Sequence, residues 1–132
     1  MWWRLLLWLL CPVRAVACDI ALLFAVDISG SVDPSEYRIQ MEGLALALEH
    51  PEVAHALVEG RSALALLQWT GASRQRLTIP WTTIETADGL SAFAEEVRAD
   101  RRIWRNFSTA IGEALLAGAK AFEDAPNCAR QV

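Results

Sequence analysis

The chain has 132 residues, of which 54% are hydrophobic and 21% charged, and this composition is typical of one folded domain rather than of a disordered segment. Its formal net charge is −4 and it has no long basic tract, which argues against a nucleic-acid partner because phosphate binding needs clustered Lys and Arg. An acidic surface instead suits a cation.

Residues 1–17 predict an export signal, with Arg4 as the positive start, an apolar run over residues 5–10 and a small-residue cleavage site at residues 15–17. The run is too short to span a bilayer, so we expect a periplasmic or secreted protein without a membrane span. Two alternatives stay open: lipidation of Cys18, and a buried amino-terminal strand extension.

Removal of the signal takes Cys11 with it and leaves Cys18 and Cys128. An even number of cysteines in an exported chain permits a disulfide. Each cysteine precedes a predicted strand, so the two would lie at the same end of the sheet if those strands are parallel neighbours. Free buried thiols are the alternative.

Residues 20–26 form a continuous apolar run without alternation, which predicts a parallel strand covered on both faces and ending at Asp27. Asp33, Pro34 and Glu36 then predict the start of a helix that ends at His50 and Pro51. Its inward face is predicted to hold Tyr37, Met41, Leu44, Ala45 and Leu48.

Residues 62–70 predict a second buried strand, and residues 75–79 an antiparallel edge strand that is broken at Pro80. A helix follows the polar connection 83–88, with Leu90, Phe93, Ala94 and Val97 on one face. After the charged loop 100–105, Thr109 opens a helix whose inward residues are predicted to be Ile111, Leu115, Gly118 and Phe122. A strand begins at Cys128. This order predicts an α/β fold of three layers, Rossmann-like, with a mostly parallel sheet.

Asp27, Ser29 and Ser31 lie just past the carboxyl end of the first strand, where ligands collect in open parallel sheets. Alternate residues of a tight loop can turn three oxygen atoms toward one point, and Gly30 lets the backbone bend. Such a set suits a hard divalent cation such as Mg2+. Because it holds few carboxylates, the ion stays under-neutralised and can attract a carboxylate from outside.

The pattern Asp27-x-Ser29-x-Ser31 after an apolar strand resembles the metal-ion-dependent adhesion site of von Willebrand factor type A domains, in an exported bacterial subgroup of uncharacterised function. The resemblance covers essentially all of residues 18–132. It implies that Thr109, just before a helix, is a further metal ligand, and that the protein binds a protein ligand through a carboxylate.

The family's site normally includes a further aspartate after the strand that begins at residues 129–132, and this sequence ends before it. The sequence therefore predicts the amino-terminal part of such a domain, with its carboxyl-terminal strands missing. A truncated fragment that does not bind is the competing hypothesis.

The same residues allow other interpretations. The 27–31 loop could be merely structural, with Ser31 or Asp33 only capping the helix. His50 and His55 are expected to be solvated rather than zinc ligands. An aspartate-dependent phosphoryl-transfer enzyme is less favoured, because Ser29 stands where a second aspartate is usual, so we expect no catalysis.

Arg101, Arg102 and Arg105 around Trp104 could form a basic aromatic patch for a phosphate or an acidic partner, although a solvated loop also explains them. The sequence does not define an oligomeric state.

Overall fold

A computed structural model describes residues 18–132, in which four strands form one sheet flanked by helices. The predicted export signal lies outside the described residues. In chain order the elements are β1 (Cys18–Asp27), α1 (Pro34–Glu49), α2 (Pro51–Glu59), β2 (Ala63–Trp69), β3 (Gln75–Thr83), α3 (Ala87–Ala99), α4 (Ile111–Ala121), a 3-10 turn (Phe122–Asp124) and β4 (Cys128–Gln131). Across residues 18–132, no helix is both long and apolar enough to cross a membrane.

The strand order in the sheet is β3-β2-β1-β4. β1 runs parallel to β2 and to β4, whereas β2 and β3 are antiparallel, as the predicted edge hairpin requires. The sheet is thus mixed, where the sequence predicted a mostly parallel one. The architecture is α/β and is consistent with a Rossmann-like fold.

β1 is apolar from residue 20 to residue 26 because both of its faces meet helices. Leu22, Phe24 and Val26 pack against the main core, which contains inward residues of α1 and α3. Leu23, on the other face, belongs to a second cluster with Ala114 of α4. This explains why the strand shows no alternation of apolar and polar residues.

Helix α1 begins as the sequence predicts. The Asp33 side chain accepts hydrogen bonds from the amides of Ser35 and Glu36, and the Glu36 carboxylate accepts one from the Asp33 amide, which completes a capping box. The predicted inward face is also confirmed, with four residues buried and Leu44 partly buried; the buried ones are Tyr37, Met41, Ala45 and Leu48.

Two elements differ from the prediction. Pro51 does not only end α1; it is the first residue of α2, where its missing amide and fixed φ fit a new helix. Pro80 does not break β3, which continues to Thr83 on the outer edge of the sheet. The pairing register shifts on either side of Leu66, and such irregularities let an edge strand hold a proline without losing a needed donor.

The predicted inward face of α4 is wrong for Ile111 and Leu115, which are 61% and 71% exposed. It is right for Phe122, just after the helix, which is partly buried beside Trp81, and for Gly118, which lies close to Leu23. The helix instead turns small residues to the sheet: Ala114 and Ala121 are buried, and Ala117 packs beside Trp69. These small side chains repeat at helical spacing, so the helix lies close to the sheet and its bulky residues are left outside. The helix begins at Ile111 rather than at Thr109.

Cys18 and Cys128 form a disulfide, with their Cα atoms 4.5 Å apart. They are directly paired in register between the parallel strands β1 and β4, which is the arrangement that the sequence predicted. The bond closes a sequence separation of 110 residues. A disulfide of this kind fits a protein exported to an oxidising compartment.

Candidate functional site

The 27–31 loop leaves β1 at the carboxyl end of the sheet and folds back on itself. The Ser29 amide donates to Asp27 Oδ1 at 2.7 Å, and the hydroxyl oxygens of Ser29 and Ser31 lie 3.3 Å apart. The Ile28 amide continues the ladder to β2 by donating to the Trp69 carbonyl. Ser29 is buried, Asp27 is partly buried and Ser31 is exposed, so the loop reaches solvent at Ser31.

Gly30 brings this loop against the segment that precedes α4. Its amide donates to the Phe107 carbonyl at 2.7 Å. A Cβ at this position would lie 3.3 Å from that same oxygen and 3.4 Å from Asn106 Cα. Because its φ is not positive, the close approach of two backbones, rather than a sharp bend, is what favours glycine here.

Thr109 lies two residues beyond Phe107, on the segment that Gly30 contacts, and its side chain is exposed. The segment is fixed from a second side, since the Thr70 hydroxyl donates to the Ser108 carbonyl at 3.0 Å. Within residues 18–132, no hydrogen bond joins Thr109 to Asp27, Ser29 or Ser31. The structure therefore brings together the two loops that hold the four predicted ligands, with direct contacts among the first three.

The sequence placed Arg102 in a basic patch or a solvated loop and did not predict its contacts with the 27–31 loop. Its guanidinium donates to the carbonyls of Val32, Ile28 and Ser29, at 2.6, 2.8 and 2.8 Å. One side chain of the 100–105 loop thus fixes the backbone of the 27–31 loop and of the adjacent Val32. In the sequence, both Arg102 and Arg101 are charged residues of a loop, and no local pattern shows which of them binds backbone carbonyls.

A buried polar network lies beside Arg102 and fixes the 100–105 loop. The Gln68 side-chain amide donates to Tyr37 Oη and to Asp100 Oδ2, and its carbonyl accepts from the Ile103 amide. The Thr78 hydroxyl also donates to Asp100, at 2.6 Å. Each side chain of this network is hydrogen-bonded, and the network holds the 100–105 loop rigidly against the sheet.

The pKa of the Tyr37 hydroxyl is raised above its ordinary value, because burial disfavours the phenolate. The nearby Asp100 carboxylate raises the pKa further, whereas Arg102 opposes the shift. Tyr37 is therefore a neutral hydrogen-bonding group that donates to the Asp100 carbonyl.

The donor set of the 27–31 loop fits a hard cation better than a soft one. Mg2+ binds oxygens at about 2.1 Å in octahedral geometry, so neighbouring ligand oxygens lie about 3 Å apart. The separation of 3.3 Å between the two serine hydroxyls is close to that spacing. Over residues 18–132, no three His, Cys, Asp or Glu side chains cluster, and His50 and His55 are both exposed, as expected of solvated residues.

No curated protein is similar to this chain. A family model described as "Protein of unknown function (DUF1194)" matches residues 17–132, which are nearly all of the sequence and include both loops of the candidate site. The chain therefore belongs to the DUF1194 family.

Proposed function

We propose that this protein is an exported binding module that recognises a carboxylate of a protein ligand through Mg2+ held by Asp27, Ser29, Ser31 and Thr109. The observation that supports the proposal most is the pair of serine hydroxyls, 3.3 Å apart beside the Asp27 carboxylate at the carboxyl end of a parallel strand.

Asp33 rather than Ser31 caps helix α1, and this favours a metal-binding role for Ser31 over a purely structural one. The Asp33 side chain accepts the hydrogen bonds of the capping box. Ser31 instead contacts Ser29 and is exposed, so its oxygen is available to a cation. Asp27 uses Oδ1 to accept from the Ser29 amide, while Oδ2 has no hydrogen bond with a described residue and is free to face the ion.

The charge of the proposed ligand set determines the partner. One carboxylate and three hydroxyls neutralise only half of a divalent charge, so a bound ion would retain a net positive charge. An external carboxylate satisfies both the charge and an open coordination position. Three hydroxyl ligands also leave room for water, which Mg2+ usually keeps and which an incoming carboxylate can displace.

Export accompanies this function in the proposal. The disulfide between Cys18 and Cys128 belongs in an oxidising compartment, and a carboxylate-binding module there would meet proteins outside the cytoplasm. A Cys18 engaged in the disulfide is not available for lipidation, so the proposal favours a protein without a lipid anchor.

Isothermal titration of the full chain with Mg2+ tests the proposal. We expect saturable binding that Asp27→Asn abolishes and that Ser29→Ala with Ser31→Ala weakens at least tenfold. Ser73→Ala is the matched control, because Ser73 is an exposed hydroxyl on the turn between β2 and β3 and should leave binding unchanged. An absence of heat, or heat that survives Asp27→Asn in a folded protein, would overturn the metal site.

A further inference from the structure

A cleft of about 340 Å³ lies between α1 and the 100–105 loop, and none of the proposed metal ligands lines it. Tyr37 and Met41 of α1, both buried, supply part of its lining, and Pro34, the first residue of that helix, also lines it. Arginines dominate the charged lining residues, which are Arg38, Arg98, Arg101, Arg102, Arg105, Glu42 and Asp100.

The arginines of the cleft are not all neutralised by the protein. Arg98 is paired, with Glu42 at 3.2 Å and Glu49 at 2.5 Å. Arg38, Arg101 and Arg105 make no ion pair with any residue of the described part of the chain. Like charges placed together repel one another, and this cluster of arginines lies in a chain whose net charge is −4.

Arg102 contributes a fourth positive charge without a carboxylate partner. Its two terminal nitrogens donate to backbone carbonyls, which are neutral. Its Nε is buried and has no hydrogen-bond partner among the described residues. A buried donor without a partner is costly.

Asp100 is one of two carboxylate residues that line the cleft, against five arginines, so the lining keeps a net positive charge. Its carboxylate accepts from Gln68 and Thr78, and the network directs it toward the sheet. Guanidinium groups in a partly apolar cleft bind planar or tetrahedral oxyanions in bidentate fashion, and the lower dielectric strengthens each contact.

We propose that this cleft is an oxyanion-binding site, which takes a carboxylate or phosphate group between Arg38, Arg101 and Arg105. The proposal does not depend on the metal site, because none of the cleft residues is a proposed metal ligand. Arg38, Arg101 and Arg105 are exposed and have no carboxylate partner among residues 18–132, so a bound oxyanion would neutralise charge that only solvent otherwise screens.

Titration of the full chain in metal-free, low-salt buffer tests the site, with inorganic phosphate in one arm and succinate in the other. We expect saturable binding of at least one anion, weakened at least tenfold by Arg101→Gln with Arg105→Gln. The anion that binds more tightly identifies the source of the oxyanion.

The matched control is Arg61→Gln with Arg130→Gln, which removes the same charge from exposed positions outside the cleft. It should retain binding within about twofold. Thermal melting of both double variants verifies that they are folded. Failure of both anions to bind, or equal weakening in the control, would overturn the proposal.

Discussion

The Gly30 amide donates a hydrogen bond of 2.7 Å to the Phe107 carbonyl, and this bond joins the two loops that supply the proposed metal ligands. Replacing Gly30 with alanine would place a Cβ 3.3 Å from that carbonyl. The oxygen cannot move away without lengthening the bond, so we expect a loss of about 1 to 2 kcal/mol in the free energy of unfolding. Mg2+ affinity should fall as the loops separate.

Urea denaturation and Mg2+ titration measure these two effects. Gly43→Ala is the control, since a Cβ there meets nothing within 4 Å and the position lies inside α1. It should stabilise the protein by about 0.5 to 1 kcal/mol and leave Mg2+ binding unchanged. Equal stability of Gly30→Ala and the wild type would show that the two loops are not tightly joined.

Arg102→Lys tests the contact behind the 27–31 loop. An ammonium cannot reproduce the planar fork that reaches the carbonyls of Val32, Ile28 and Ser29, so buried acceptors lose their donors. We expect the free energy of unfolding to fall by about 2 to 3 kcal/mol, measured by urea denaturation. The neighbouring Arg101→Lys, at an exposed position, should change it by less than about 0.5 kcal/mol.

We expect the folded protein to lose stability at alkaline pH because of Tyr37. Its pKa is raised in the folded protein, so its contribution is complete below the unfolded value near 10.0 and is lost as pH rises toward the folded value. The chain has one tyrosine, so phenolate absorbance reports this residue alone.

We expect the phenolate to appear at higher pH in the folded protein than in urea. Tyr37→Phe should be less stable at neutral pH by about 1 kcal/mol, because Gln68 loses an acceptor, and its stability should fall less steeply above pH 10. If the phenolate of the folded protein appeared at the same pH as that of the unfolded chain, the burial of the hydroxyl would be contradicted.

The disulfide between Cys18 and Cys128 should contribute strongly to stability. Closing a sequence separation of 110 residues restricts the unfolded chain, which corresponds to about 4 to 5 kcal/mol. Cys18→Ser with Cys128→Ser should therefore lower the free energy of unfolding, measured in urea, by that amount, and the urea midpoint with it. Reductant should lower the wild-type midpoint by a similar amount and leave the double variant unchanged; insensitivity of the wild type would mean that the bond is absent.

Local signals were sufficient for the start of α1 and for β1. The capping box at Asp33 depends on residues three apart, and the apolar run of β1 reflects burial on both faces. Contacts between distant segments were not readable. Arg102 binds carbonyls of the 27–31 loop, and a charged residue in a loop gives no sign of such a partner.

The face of α4 shows how packing distance overrides hydrophobicity. Ile111 and Leu115 have the spacing of an inward face, yet Ala114 and Ala121 occupy it. Sequence periodicity marks both stripes, and only the separation between helix and sheet decides which one is buried. The assignment of Thr109 as a metal ligand, in contrast, was implied by the resemblance rather than by any pattern in the residues themselves, and it stays a prediction.

The pairing of Cys18 with Cys128 also affects the order of events during biogenesis. Cys18 emerges from the ribosome, and from any export channel, long before Cys128, and docking of β4 beside β1 brings the two thiols together. Oxidation therefore marks molecules whose first and last described strands have aligned correctly. Non-reducing electrophoresis of newly made protein would separate those mature molecules from chains still assembling.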